Sequence, residues 1–251
     1  TQLSVGRPVA LKVLNADRVT DLTTIARFQQ EARAIAALRH PNTIRLIDFG
    51  QAEDGTLYLV MEFLEGEPLS SLLKRESPLA AERVIRVGLQ VLESLAEAHN
   101  VGIVHRDLKP DNLFVTELFG RPDFVKILDF GIAKVSGFGQ DPNLTGVGVA
   151  LGSPRYMAPE QASAAKVDAR TDLYALGVVL YEMLAGRPPF LCGSVAEYML
   201  AHVQLDVPEM TLNDRPLTGR LPDFIYACLS KYPLHRPTGA AQAIERLRAC
   251  A

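Results

Sequence analysis

The sequence predicts an α+β fold in two lobes, a small β-rich lobe over residues 1–64 and a larger helical lobe over residues 65–251. Three observations predict it. Short β-rich runs fill the chain to about Met61, around one helical pattern. A polar Gly/Pro break, Glu65–Leu69, follows and reads as a hinge. Beyond it, apolar residues recur mostly at helical spacing.

In chain order, VALKVL (Val9–Leu14), TIRLIDFG (Thr43–Gly50) and LYLVMEFL (Leu57–Leu64) are strand-like, rich in β-branched and aromatic residues. Between the first two, Ile25, Phe28, Ala32, Ile35 and Leu38 repeat at helical spacing. After the break, Glu82–Asn100 places Val84, Gly88, Val91 and Leu95 on one helix face. Asp172–Leu184 is apolar nearly all round, the signature of a helix buried on every side. Helices are also expected over Ser194–Val203, Pro222–Tyr232 and Gly239–Ala249.

Composition narrows the function. A chain of 251 residues, 48% hydrophobic, can bury one large domain or two lobes with a shared core. The net charge of −3 and the absence of a basic run argue against nucleic acid or an anionic membrane surface as partner. Cys192, Cys228 and Cys250 are widely spaced, which fits a reducing, cytoplasmic setting rather than a disulfide or zinc framework. The longest apolar run, Leu173–Tyr181, is too short to span a bilayer. The chain starts at Thr1 rather than Met, so a fragment is expected.

The chemistry concentrates in HRDLKPDN (His105–Asn112), after VGIV (Val101–Val104), which reads as an apolar strand. Asp107, Lys109 and Asn112 bring an acid, a cation and an amide into one loop. Phosphoryl transfer uses such a set: a carboxylate for the attacking hydroxyl, a cation for the γ-phosphate, an amide oxygen for Mg²⁺. In VKILDFG (Val125–Gly131), Asp129 ends a strand before a glycine and can hold Mg²⁺ between phosphates. Asp107 and Asp129 stand 22 residues apart, room for a β-hairpin that returns both acids to one site. A second DFG, Asp48–Gly50, has no such loop before it and reads as a strand end.

VALK, the helix glutamate, HRDLKPDN, DFG, SPRYMAPE, DLYALG and a late HRP occur in this order over nearly the whole chain. On these motifs the sequence resembles eukaryotic-type (Hanks-type) protein serine/threonine kinases, most of all their bacterial members. The resemblance implies the two-lobed kinase fold, ATP and Mg²⁺ as cofactors with Mn²⁺ as a substitute, and proteins with Ser/Thr acceptors as partners. It implies self-association for autophosphorylation as well. Lys12 would grip the ATP phosphates and pair with Glu31, which lies on the inward stripe of its helix between Phe28 and Ile35. Asp107 would be the base, Lys109 a catalytic cation, and Asn112 and Asp129 the metal ligands. Met61 would be the gatekeeper, with the Glu62 carbonyl and Leu64 amide on the purine edge. Ala10 above and Phe114 and Leu128 below would enclose the ring.

The same resemblance gives structural roles. Asp172 would hold the His105–Arg106 backbone, and Glu160 and Arg236 would form a buried ion pair. His105, Phe130, Ile35 and Leu46 would stack as a spine across the lobes. Lys109 marks a Ser/Thr rather than a tyrosine kinase, and Ser153 stands where Thr is usual. Arg106, just before Asp107, implies control by phosphorylation within the activation segment, residues 129–160, at Thr145 or, less favoured, Ser136. A glycine-rich phosphate loop is missing upstream of Lys12. By the family pattern it would end about five residues before Thr1, so a truncated chain is expected, with any membrane anchor of the parent outside it. GVGVALG (Gly146–Gly152) is a decoy inside the activation segment. The alternative to an active kinase is an impaired fragment or pseudokinase acting as a binding module.

Overall fold

The computed structural model describes residues 6–14, 22–130 and 153–251. Strands β1 (Val9–Leu14), β2 (Leu46–Gln51) and β3 (Leu57–Glu62) form an antiparallel sheet in the order β1-β3-β2. The two-residue period of β1 puts Ala10, Lys12 and Leu14 on one face, while Leu11 and Val13 point out to solvent. Helix α1 (Leu22–Ala36) buries Phe28, Ala32 and Ile35, its helical stripe, in one cluster with Leu57 and Leu59 of β3. Phe28 meets Phe49 of β2 edge-on, ring centroids 6.4 Å apart.

The chain between α1 and β2 is bonded to the lower lobe, and at Arg45 to Glu62 of β3 as well. The Arg39 and His40 amides both donate to the Glu97 carboxylate at 2.8 Å. Asn42 Nδ2 donates to the Val125 carbonyl at 2.6 Å, and the Ile127 amide donates back to the Asn42 carbonyl at 2.7 Å. Thr43 and Ser94 share a buried hydroxyl bond of 2.7 Å. These contacts seat the upper sheet over the hairpin that leads to Asp129.

That hairpin is β5 (Leu113–Leu118) and β6 (Arg121–Ile127), joined on its other edge by β4 (Gly66–Pro68). The break expected at Glu65–Leu69 is therefore partly a strand. Gly66, at φ +146°, approaches the Val115 carbonyl so closely that a Cβ would sit 2.2 Å from its oxygen, and only glycine fits. Helix α2 (Leu69–Glu76) follows at once and buries Leu69, Leu72 and Leu73. The 20-residue helix α3 (Ala81–Asn100) carries Val84, Gly88, Val91 and Leu95 inward. The strand expected over Val101–Val104 is instead a turn, set by Gly102 at φ 78°, running into irregular chain.

After a short helix, α4 (Pro159–Ala162), helix α5 (Ala169–Ala185) forms the centre of the lower lobe. Asp168 caps its first turn through the Arg170 amide, and Gly186, at φ 78°, ends it in the left-handed conformation. Its apolar residues are buried on every side. Gly177 makes this possible, since a Cβ there would lie 2.9 Å from Cys228 Cβ. Helices α6 (Val195–Gln204), α7 (Arg220–Cys228) and α8 (Ala240–Arg248) surround it. A small hairpin of β7 (Thr211–Leu212) and β8 (Arg215–Pro216) turns on Asn213 and Asp214, both at positive φ. The three cysteines are free thiols, and burial pushes that of Cys228 up to about 12. Among the described residues no helix is long and apolar enough to cross a membrane.

Candidate active site

The loop His105–Asn112 hangs from one buried carboxylate. Asp172, fully buried on α5, accepts the His105 amide at 2.8 Å and the Arg106 amide at 2.9 Å, and meets His99 Nε2 at 2.8 Å. Arg106 sits at φ 63°, a strained conformation for a non-glycine residue, and these bonds hold it there. His105 is buried, its Nε2 2.8 Å from the Leu128 carbonyl and its ring 4.9 Å from that of Phe130. Ile35 is buried and Leu46 packs against the same core. Glu31, Ile35, Arg106 and Phe130 also line a cavity of about 160 Å³ behind the loop.

Around Asp107 the polar groups converge. Asn112 Nδ2 donates to the Asp107 carbonyl at 2.8 Å and to its Oδ2 at 3.3 Å. Lys109 Nζ lies 3.3 Å from Oδ2 and donates to Ser153 Oγ at 2.8 Å. The Ser153 amide donates to Oδ1 at 3.1 Å. The carboxylate is thus oriented from both sides, and Ser153, which bonds it, also lines a cleft with Asp111, Tyr156 and Glu182.

Lys12 and Asp129 bring in the upper lobe. Lys12 Nζ lies 2.7 Å from Asp129 Oδ1, each side chain about a third exposed. The partner described for Lys12 is therefore Asp129, where the sequence pairs it with Glu31. Asp129, at φ 51°, turns out of the end of β6. Above the cleft Met61 stands in register between Ala10 and Leu46. The Glu62 carboxylate accepts the Arg45 amide at 2.8 Å and Lys126 Nζ at 2.6 Å, and Leu64 follows β3. Phe114 pairs with Lys126 in the hairpin below, and the Leu128 amide donates to the Asn112 carbonyl at 2.8 Å.

The Glu160–Arg236 pair is buried and bidentate, at 2.7 and 2.8 Å. Arg236 also donates to the carbonyls of Ser230, Arg170 and Lys231, so all its N–H groups are used. Burial pushes the Glu160 carboxyl up, but Arg236 and Thr171 outweigh it and hold it below the usual range. Thr145 and Ser136 lie outside the described residues. His99, Lys126 and Gln161, which donates to the Arg106 carbonyl at 2.9 Å, are contacts that sequence reasoning misses. Their partners lie 55 or more residues away, and nothing local marks them.

The sequence pattern of the protein kinase domain matches residues 1–247. The chain belongs to that family. The kinase domain is 45% identical over 242 residues to serine/threonine-protein kinase pkn3 of Myxococcus xanthus, covering 95% of this chain and 44% of that protein. It is 43% identical over 237 residues to Pkn1 of the same organism, covering 93% and 33%. With PknB of Mycolicibacterium smegmatis it shares 36% over 243 residues, covering 96% and 38%. The kinase domain thus spans less than half the length of these relatives. Kinase domains of this family use ATP and a divalent metal and act on proteins.

Proposed function

We propose that the chain transfers the γ-phosphoryl group of ATP to serine and threonine hydroxyls of proteins. The observation that carries this reading is the convergence of Lys109, Asn112 and Ser153 on Asp107, with Asp129 and Lys12 paired across the cleft. Asp107 accepts the proton of the attacking hydroxyl, and Lys109 stands where charge gathers on the transferred group. Lys12 holds the α/β-phosphates, with Glu31 as its partner. Ala10, Met61, Phe114 and Leu128 enclose the adenine, with the Glu62 carbonyl and Leu64 amide on its edge.

Asn112 and Asp129 supply an amide and a carboxylate, the hard oxygen donors that suit Mg²⁺. Such an ion keeps several waters and is held by one or two protein groups together with substrate phosphates. When bound, the ion neutralises charge on the β- and γ-oxygens. The lobes divide between residues 64 and 65, and phosphorylation at Thr145 or Ser136 acts through Arg106. The free thiols and the use of ATP fit a cytoplasmic setting. Incubation with labelled Mg-ATP and casein tests the reading. Label on casein supports it, and label confined to a small molecule contradicts it.

A further inference from the structure

The turn Pro154–Tyr156 follows directly on Ser153, whose amide donates to Asp107 Oδ1. The shape of this turn therefore sets the wall beside Asp107. The groups that hold it come from two distant helices. The Arg155 carbonyl faces His202 Nε2 of α6 at 3.0 Å, and His202 Nδ1 faces the Tyr174 hydroxyl of α5 at 2.9 Å. A carbonyl only accepts, so Nε2 carries the proton, and Nδ1 accepts from the Tyr174 O–H. The tyrosine thereby selects the tautomer that the turn requires.

Both residues are fully buried, and Phe190 packs edge-on to the imidazole with centroids 5.1 Å apart. The Arg155 side chain is tied to α6 too, Nε donating to the Tyr198 hydroxyl at 3.3 Å. Lys231 Nζ caps the end of the same helix on the Ala201 and His202 carbonyls, at 3.2 and 2.9 Å. Burial, reinforced by the Lys231 charge, lowers the His202 pKa to about 4, so the ring is neutral at neutral pH.

We propose that His202, oriented by Tyr174, is a positioning residue that holds the turn Pro154–Tyr156 in the shape that seats the acceptor hydroxyl against Asp107. This rests on the protein-kinase reading above. The turn touches the transferred phosphoryl group only through Ser153 and Lys109, and none of the residues assigned to the adenine or the α/β-phosphates lies on α6, so the effect falls first on the acceptor.

Three variants test it. Tyr174→Phe removes only the hydroxyl, His202→Leu removes both bonds, and His202→Gln keeps a donor and an acceptor. Losing the Tyr174 bond to the imidazole, or both bonds of His202, should raise KM for casein ~10-fold in the first two. KM for ATP should stay at the parent value, and His202→Gln should restore the casein KM. An unchanged casein KM in folded Tyr174→Phe, or casein and ATP KM rising together, overturns the proposal. Hydrogen exchange reads the turn without activity. The Tyr156 amide, bonded to the Ser153 carbonyl at 3.0 Å, should exchange ~10-fold faster in Tyr174→Phe while α3 is unchanged. Unchanged exchange at Tyr156 also overturns it. A parent chain that transfers no phosphate sinks the functional reading instead, and exchange then decides the linkage by itself.

Discussion

Lys12 Nζ and Asp129 Oδ1 stand 2.7 Å apart, an ion pair that bridges the sheet of the upper lobe and the hairpin of the lower. Both groups are assigned to the charged end of ATP, one to its phosphates and one to the metal. Nucleotide binding must therefore redistribute this pair. Being partly exposed, it adds little to stability, roughly 0–1 kcal/mol. Lys12→Met should leave the melting temperature near the parent's while lowering the transfer rate by about a hundredfold or more. Calorimetry and a labelled-ATP assay check the two halves, and retained turnover removes Lys12 from the site.

Arg236 gives the opposite expectation. It is fully buried, with every donor used, and its removal strands the Glu160 carboxylate in the core. Arg236→Ala should cost about 3–5 kcal/mol and lower the melting temperature by on the order of 10 °C. Arg236→Lys should recover only part, because an ammonium cannot reproduce the bidentate fork. A melting temperature equal to the parent's refutes this.

Asp172 collects two backbone amides and His99. Asp172→Asn replaces one acceptor oxygen by a donor that opposes those N–H groups. Arg106 then loses what holds it at positive φ. Transfer should fall at least about tenfold, with a lower melting temperature as well. Parent-like kinetics would show that the loop holds its shape without the carboxylate.

Acid should weaken the fold through His202. Its pKa is about 4 in the folded chain, below the 6.5 of a free histidine. As pH falls, the unfolded chain takes up this proton first. The stabilising contribution is complete above about pH 6.5 and is lost progressively toward pH 4. The Lys231 charge stays positive over this range and favours the neutral form, against the pull of the Arg155 carbonyl bond. Urea midpoints from pH 7.5 to 4.5 should fall more steeply for the parent than for His202→Gln. Parallel profiles would assign the acid sensitivity to another group.

Much of the fold and site is legible in the sequence where the signal is local or periodic. The residues Val9–Leu14 form a strand with the bounds read from their β-rich run, and the Phe28–Ala32–Ile35 stripe forms a buried helix face. The misreadings share a cause. Val101–Val104 looks like a strand by composition, but Gly102 adopts positive φ just after α3 and the chain turns. Glu65–Leu69 looks like a break, yet Gly66 lets three residues pair with β5. Helix α2 is only eight residues long, too short for periodicity to stand out. The reach of Lys12 to Asp129, and the linkage from Tyr174 through His202 to Arg155, depend on distant elements meeting in space. No spacing in the chain encodes them.

The measurement that bears most directly on phosphoryl transfer by Asp107 compares the parent with Asp107→Asn under labelled Mg-ATP and casein. Loss of the general base should lower label on casein by about 10²–10⁴-fold, with the melting temperature within a few degrees of the parent's. Equal labelling by the two proteins would contradict the role of Asp107 and the reading built on it.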